Sequence, residues 1–239
     1  MGIGYGPRVV TDGLVLALDA GDTNSYPGSG TTWTDLSGQG NNGTLVNGPT
    51  YSSANGGSLV FDGTNDRVEL SSNAVGNENQ FTIDIWYKRG SQTDKYLYSE
   101  SSNSSSNPIW GITSNSSASS NSKLRIYARN DSGTQEMNFQ PSGSEYAIYD
   151  NQIHHLVVVY QSNTLYFYLD GSSIGNTTWN KGSYSNADLV TIGGWTFNGG
   201  ANTGGHMSGD IYSVKTFRKS FTASEIQQNY NALKSRFIT

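Results

Sequence analysis

Apolar and polar positions alternate with a period of two along much of the chain. Phe81, Ile83, Ile85 and Tyr87 alternate with Thr82, Asp84, Trp86 and Lys88, and residues 124–129 repeat the pattern. This period sends one set of side chains to a core and the other outward, as in half-buried strands. Further strand-like runs lie at 14–19, 58–62, 67–70, 95–99, 153–160, 164–169, 189–192 and 211–217. Turn residues separate nearly all of them, and 62–66, 161–163 and 170–172 read as hairpins. Short strands at this spacing predict an all-β, two-sheet antiparallel sandwich. Segments 23–34 and 198–205 read as long loops, and the Ser/Asn-rich stretch 99–122 as two loops around a short strand at 108–112.

One helix is predicted, at the end of the chain. Thr222 and Glu225 have the spacing of a capping box, with Phe221 and Ile226 at the staple positions. Ile226, Tyr230, Leu233 and Phe237 then share one face, which should attach the helix to a sheet edge or loop layer.

Composition removes several function classes. None of the 239 residues is cysteine, which excludes disulfides, thiolate metal sites and a catalytic thiol. Charged residues make up 14%, with 14 Lys+Arg against 19 Asp+Glu and a net charge of −5. No basic stripe is present for nucleic-acid phosphates or anionic lipid, so neither nucleic acid nor membrane is an expected partner. The polarity comes from Gly, Ser, Asn and Thr, and aromatics reach 12% inside the alternating runs, which argues for a packed β domain over disorder. The opening residues carry no basic n-region and apolar core, so export is not expected.

Five motifs in order carry a family resemblance. They are Gly57-Ser58-Leu59-Val60-Phe61-Asp62-Gly63 with Asn65-Asp66; Phe81 to Tyr87; His155 to Tyr160, then Leu165-Tyr166-Phe167-Tyr168-Leu169-Asp170-Gly171; Ile192-Gly193-Gly194; and Gly209-Asp210-Ile211-Tyr212-Ser213-Val214. Over residues 12–235 the chain resembles laminin-G-like domains of the concanavalin A-like lectin and glucanase superfamily. The resemblance implies a jelly roll over 12–239 closed by the terminal helix, and the Gly-rich residues ahead of the first strand read as an extended arm at 1–11. Leu156 departs from the Trp found in many members.

The opening (Thr11 to Gly21, Trp33 to Gly38, Gly40 to Leu45) and the end (Ser224 to Leu233) are similar to laminin-G-like domains in structural proteins of tailed bacteriophages of marine and cyanobacterial hosts. That likeness implies a non-enzymatic virion component, such as a capsid decoration or neck or tail protein, assembled in the bacterial cytoplasm. Its expected partners are other virion proteins and host-surface polysaccharide, with a homo-oligomer conceivable. Gly4, Tyr5, Pro7 and Arg8 of the arm are the candidate docking residues.

The chemistry favours binding over catalysis. Retaining glycosidases need paired carboxylates, and the Glu-x-Asp-x-x-Glu spacing of the superfamily's glucanases is absent. Asp84 and Glu69 lack an acidic neighbour at that spacing, and Glu136 and Glu145 lie in separate stretches. His154 and His155 point to opposite strand faces with His206 remote, so no triad forms. Calcium is the candidate cofactor, through Asp62, Asn65 and Asp66 from one turn, or Asp35, Asn41 and Asp210 if the early loop meets the last strand. For carbohydrate the candidates are Trp179, Trp195, Tyr184 and Trp110, whose rings could stack on pyranose faces if exposed. A lectin module is thus the alternative to the virion role.

Overall fold

The computed structural model describes residues 8–70, 75–117 and 122–237. Among these the strands are β1 (Leu14–Asp19), β2 (Thr32–Trp33), β3 (Gly43–Val46), β4 (Thr50–Ser52), β5 (Ser58–Asp62), β6 (Arg67–Leu70), β7 (Gln80–Lys88), β8 (Tyr96–Ser101) and β9 (Ile109–Ser114). They continue with β10 (Leu124–Arg129), β11 (Gln135–Phe139), β12 (Ile153–Gln161), β13 (Thr164–Leu169), β14 (Ser172–Thr178), β15 (Leu189–Ile192), β16 (Trp195–Phe197), β17 (Asn202–Gly204) and β18 (Ser208–Phe217), followed by the helix α1 (Ala223–Phe237). No described helix is long and apolar enough to cross a membrane.

The strands build two antiparallel sheets of eight and a small β16–β17 hairpin. The first sheet runs β14-β13-β12-β7-β18-β5-β4, and β1 shares with β5 the remaining edge of β18. The second runs β11-β10-β9-β8-β15-β6-β3-β2. Their facing sides enclose one core that includes Leu16, Phe81, Ile85, Trp110, Ile126, Leu156 and Val190. The predicted sandwich is the observed one, and the turns at 161–163 and 170–172 are hairpins with left-handed residues at Ser162, Asn163, Asp170 and Gly171.

The turn at 62–66 is not a hairpin. β5 belongs to the first sheet and β6 to the second, so this segment is a corner between layers. Asp62 Oδ1 accepts the Thr64 N–H at 2.8 Å, and Asp66 Oδ2 accepts the Asp62 N–H at 3.0 Å. Carboxylates replace ladder partners there, because no strand pairing is available across the gap.

The helix starts as its residues require. Thr222 N–H donates to Glu225 Oε2 at 2.9 Å and Glu225 N–H to Thr222 Oγ1 at 3.3 Å, completing the capping box. The helix lies across the outer face of the first sheet, away from the edge position expected. Ile226 and Phe221 pack with Val157, Val159 and Phe217, and Phe237 packs with Trp86 and Tyr212. This explains why β7 is buried on both faces: one row meets the core and Asp84 and Trp86 meet the helix.

Candidate functional site

Beside the last turn of α1, the described residues of the outer face of the first sheet form the floor of a cleft of about 580 Å³. Its lining residues are Asn55, Lys88, Asn151, Gln152, Ile153 and Asp170, with Phe237 from the last helical turn. The volume falls within the range of small-ligand sites, roughly 300–1,000 Å³.

Each wall is fixed locally. Asn55 sits in a one-turn 3-10 helix at φ 49°, a left-handed position that asparagine tolerates. Arg236 ties that turn to α1: its guanidinium meets both oxygens of Asp19 at 2.5 and 2.6 Å and donates to the Gly56 carbonyl at 2.9 Å. Gly56 is at φ 83°, and a Cβ there would lie 2.7 Å from Arg236 Cγ, so the turn requires glycine. The Phe237 ring is held by Trp86 and Tyr212, with centroids 4.7 and 5.3 Å away.

The opposite wall comes from residues 150–153 and the β13–β14 turn. Asn151 is left-handed at φ 70°, and its N–H donates to the Arg89 carbonyl at 2.9 Å. Asp150 Oδ1 accepts the Gln152 N–H at 2.9 Å, while Asp170 Oδ1 accepts the His155 N–H at 2.9 Å. Lys88, at the end of β7, forms no ion pair among the described residues. The cleft therefore offers three side-chain amides, one ammonium, one carboxylate and a small apolar patch, a set that suits a ligand rich in hydroxyl groups.

The aromatic candidates lie elsewhere. Trp110, Trp179 and Tyr184 are buried in the core, so their faces are not open to a sugar. Their polar atoms are held by two glutamates. Trp110 Nε1 donates to Glu100 at 2.7 Å, while Trp179 Nε1 and the Tyr184 hydroxyl donate to Glu136 at 3.4 and 3.1 Å. Glu100 also accepts from the Tyr98 hydroxyl and the Val75 and Gly76 N–H groups. Burial pushes its carboxyl above the ordinary value, and those donors pull against the rise. These rings organise the interior by burying area while their N–H and O–H tips stay bonded. Trp195 alone of the four is half-buried; it stands on β16, outside the second sheet, with Phe197 at 5.2 Å.

Apart from Asp210, the calcium candidates lie in two separate places, where their carboxylates accept from backbone N–H groups. Asp62, Asn65 and Asp66 share a turn, but its carboxylates cap backbone N–H groups. Asp35 and Asn41 do meet: Asp35 Oδ2 accepts the Asn41 N–H at 3.0 Å and Oδ1 accepts the Ala17 N–H at 2.8 Å. Asp210 does not join them, because it lies on β18 opposite Val60 and Lys88 and accepts from the Ser58 hydroxyl at 3.0 Å. Among the described residues no three His, Cys, Asp or Glu side chains converge as metal ligands. Gly4, Tyr5 and Pro7 of the arm lie outside the described residues. Arg8 is exposed, and its carbonyl accepts from the Gln228 amide at 2.6 Å.

The sequence did not single out Asn55, Lys88, Asn151 or Gln152, and Asp170 was read only as a turn residue. The available signal was weak: Asp150-Asn151 before β12 is a turn pair, and Lys88 ends a strongly alternating strand.

A two-sheet lectin-like sandwich with a polar cleft at one end is the class these features define. The chain belongs to the concanavalin A-like lectin/glucanases superfamily, whose laminin-G-type family model matches residues 62–227. No curated protein matches it. Among solved structures it is similar to the binding domain of botulinum neurotoxin serotype D, with 13% identity and a TM-score of 0.64 over 92% of this chain and 52% of that one. The binding domain of botulinum neurotoxin DC in complex with SialylT matches at 15% identity and a TM-score of 0.62, covering 93% and 52% of the two chains. Domain 4 of AbnA, an extracellular GH43 arabinanase of Geobacillus stearothermophilus in complex with arabinotriose, matches at 14% identity and a TM-score of 0.64, covering 91% and 98%. The chain thus spans about half the length of the toxin binding domains and nearly all of the arabinanase domain. At these identities the likeness establishes the fold.

Proposed function

We propose that the chain is a carbohydrate-recognition module that seats a short saccharide in the cleft between α1 and residues 150–153. The observation that carries this reading is the convergence of Asn55, Lys88, Asn151 and Gln152 on one open cavity beside an apolar patch. Side-chain amides both donate and accept, which matches the paired hydroxyls of a sugar ring. Fold relatives in complex with SialylT and with arabinotriose support the same reading. The virion role rests on the sequence likeness of the chain's two ends, and the relatives named above favour the carbohydrate reading.

Isothermal titration with arabinotriose and with sialyllactose, each with calcium or chelator, tests the proposal. Saturable binding that is lost in Gln152→Ala and Lys88→Ala but kept in Trp195→Ala supports the cleft. Binding lost only in Trp195→Ala moves the site to the β16–β17 hairpin, and no binding of either sugar at millimolar concentration removes the reading.

A further inference from the structure

Two segments of one wall of the cleft, residues 150–153 and the β13–β14 turn, are joined through one side chain. His154 Nδ1 lies 2.7 Å from Asp170 Oδ2, and His154 Nε2 lies 3.1 Å from Asp150 Oδ1. Each carboxylate also holds backbone: Asp150 accepts the N–H of Gln152 in its own segment, and Asp170 reaches across to β12 to accept the N–H of His155. A neutral imidazole has one N–H and one lone pair, so it can donate to only one of these carboxylates and sets its lone pair against the other. Only the imidazolium satisfies both.

We propose that His154 is the positioning residue of the cleft, an imidazolium clasp that holds residues 150–153 to the Asp170 turn and releases them on deprotonation, making ligand binding pH-dependent. The inference rests on the saccharide reading for its ligand, but the clasp can be measured without one.

The surroundings of His154 are compatible with such a clasp. From β7 the facing ring is Tyr87, with centroids 6.3 Å apart; behind it stand Tyr149 and Arg89, whose guanidinium lies 4.0 Å from the Tyr149 ring centroid. Asp150 and Asp170 approach from the flanking turns, and the neighbouring His155 carries its side chain on the opposite sheet face, stacked on Tyr230 of α1 with centroids 6.0 Å apart. The His154 side chain is 14% exposed against 31% for Asp170 and 49% for Asp150, so solvent screens the Asp150 contact more than the Asp170 contact. Burial alone would lower the imidazole, but the hydrogen bond and charge of Asp170, then those of Asp150, outweigh it and raise the group above 6.5. A folded-state value raised in this way makes the clasp complete below 6.5 and lost as pH rises through the raised value.

The test is an NMR titration of the whole chain, without ligand, from about pH 5.5 to about pH 9. Expected is a His154 ring midpoint above 6.5, with the amide protons of Gln152 and His155 shifting at that same midpoint, and loss of both amide transitions in His154→Gln. A ring midpoint at or below 6.5, or amides that do not follow it, overturns the clasp whether or not the variant folds. In the second arm, the Kd for arabinotriose should weaken about fivefold or more across the same range in the natural chain and stay level in His154→Gln. Binding that is equally tight at both ends of the range in the natural chain overturns the gating. If neither arabinotriose nor sialyllactose binds at any pH, the saccharide reading falls, while the ligand-free titration still decides the clasp.

Discussion

Asp84 is buried between the first sheet and α1, and neutralising it should cost the fold more than any exposed charge. His155 Nε2 lies 3.1 Å from one carboxylate oxygen and the Asn229 amide donates to the other at 2.9 Å, while Lys215 stands opposite on β18. Asn229 also accepts the Val10 N–H at 2.8 Å, so the same group fastens the N-terminal segment to the helix. Complete burial would raise the Asp84 carboxyl, but His155, Lys215 and Asn229 together hold it down from 3.8 to about 2. At about 1.4 kcal/mol per unit that difference is worth about 2 kcal/mol of stability near neutral pH. Asp84→Asn keeps the volume and removes the charge facing His155 and Lys215; breaking a buried pair outright costs about 3–5 kcal/mol, and here Asp19 still acts on Lys215, which trims that cost. Urea unfolding at neutral pH should therefore show a loss of about 2–4 kcal/mol at unchanged m-value. The sign of the acid response is also fixed. A depressed carboxyl contributes fully above 3.8 and loses its contribution as pH falls through about 2, so the natural chain should weaken across that window and Asp84→Asn should lack that component. A variant within about 0.5 kcal/mol of the natural chain, with the same acid slope, would refute this reasoning.

Three further outcomes are expected. Trp179→Ala should lower stability by about 3–5 kcal/mol in thermal or urea unfolding, because it empties a core site and leaves Glu136 short of a donor; it should not act as a selective binding variant. Thr222→Ala should cost about 1 kcal/mol by the same assay, since it removes one half of the capping box at the start of α1. Arg236→Ala should speed amide exchange in the last turn of α1 and around Asn55, because it frees Asp19 and the Gly56 carbonyl together; unchanged exchange there would show that Phe237 packing suffices.

The fold was legible where burial is one-sided or where caps have local spacing. β12 and β13 read correctly, and the Thr222–Glu225 box gave the start of α1 because both groups sit within one turn. β14 was missed: its sequence, Ser172–Thr178, is almost wholly polar, it lies at a sheet edge and it shows no apolar alternation. The corner at 62–66 was misread because a turn between two strands looks the same whether they pair or change layers. Three of the four aromatic candidates fill the core for a long-range reason. Whether Trp179 stacks on a sugar or fills the core depends on Glu136, 43 residues away, and no local pattern contains that contact. The cleft draws on five separated segments, so only the assembled sandwich brings it together.

The most direct test of the central claim is a chemical-shift map of the 15N-labelled chain titrated with arabinotriose and with sialyllactose. Expected are saturable shifts at Asn55, Lys88, Asn151, Gln152 and Asp170, with little change at Trp195. Shifts centred on Trp195 and the β16–β17 hairpin, or none up to millimolar sugar, would contradict it.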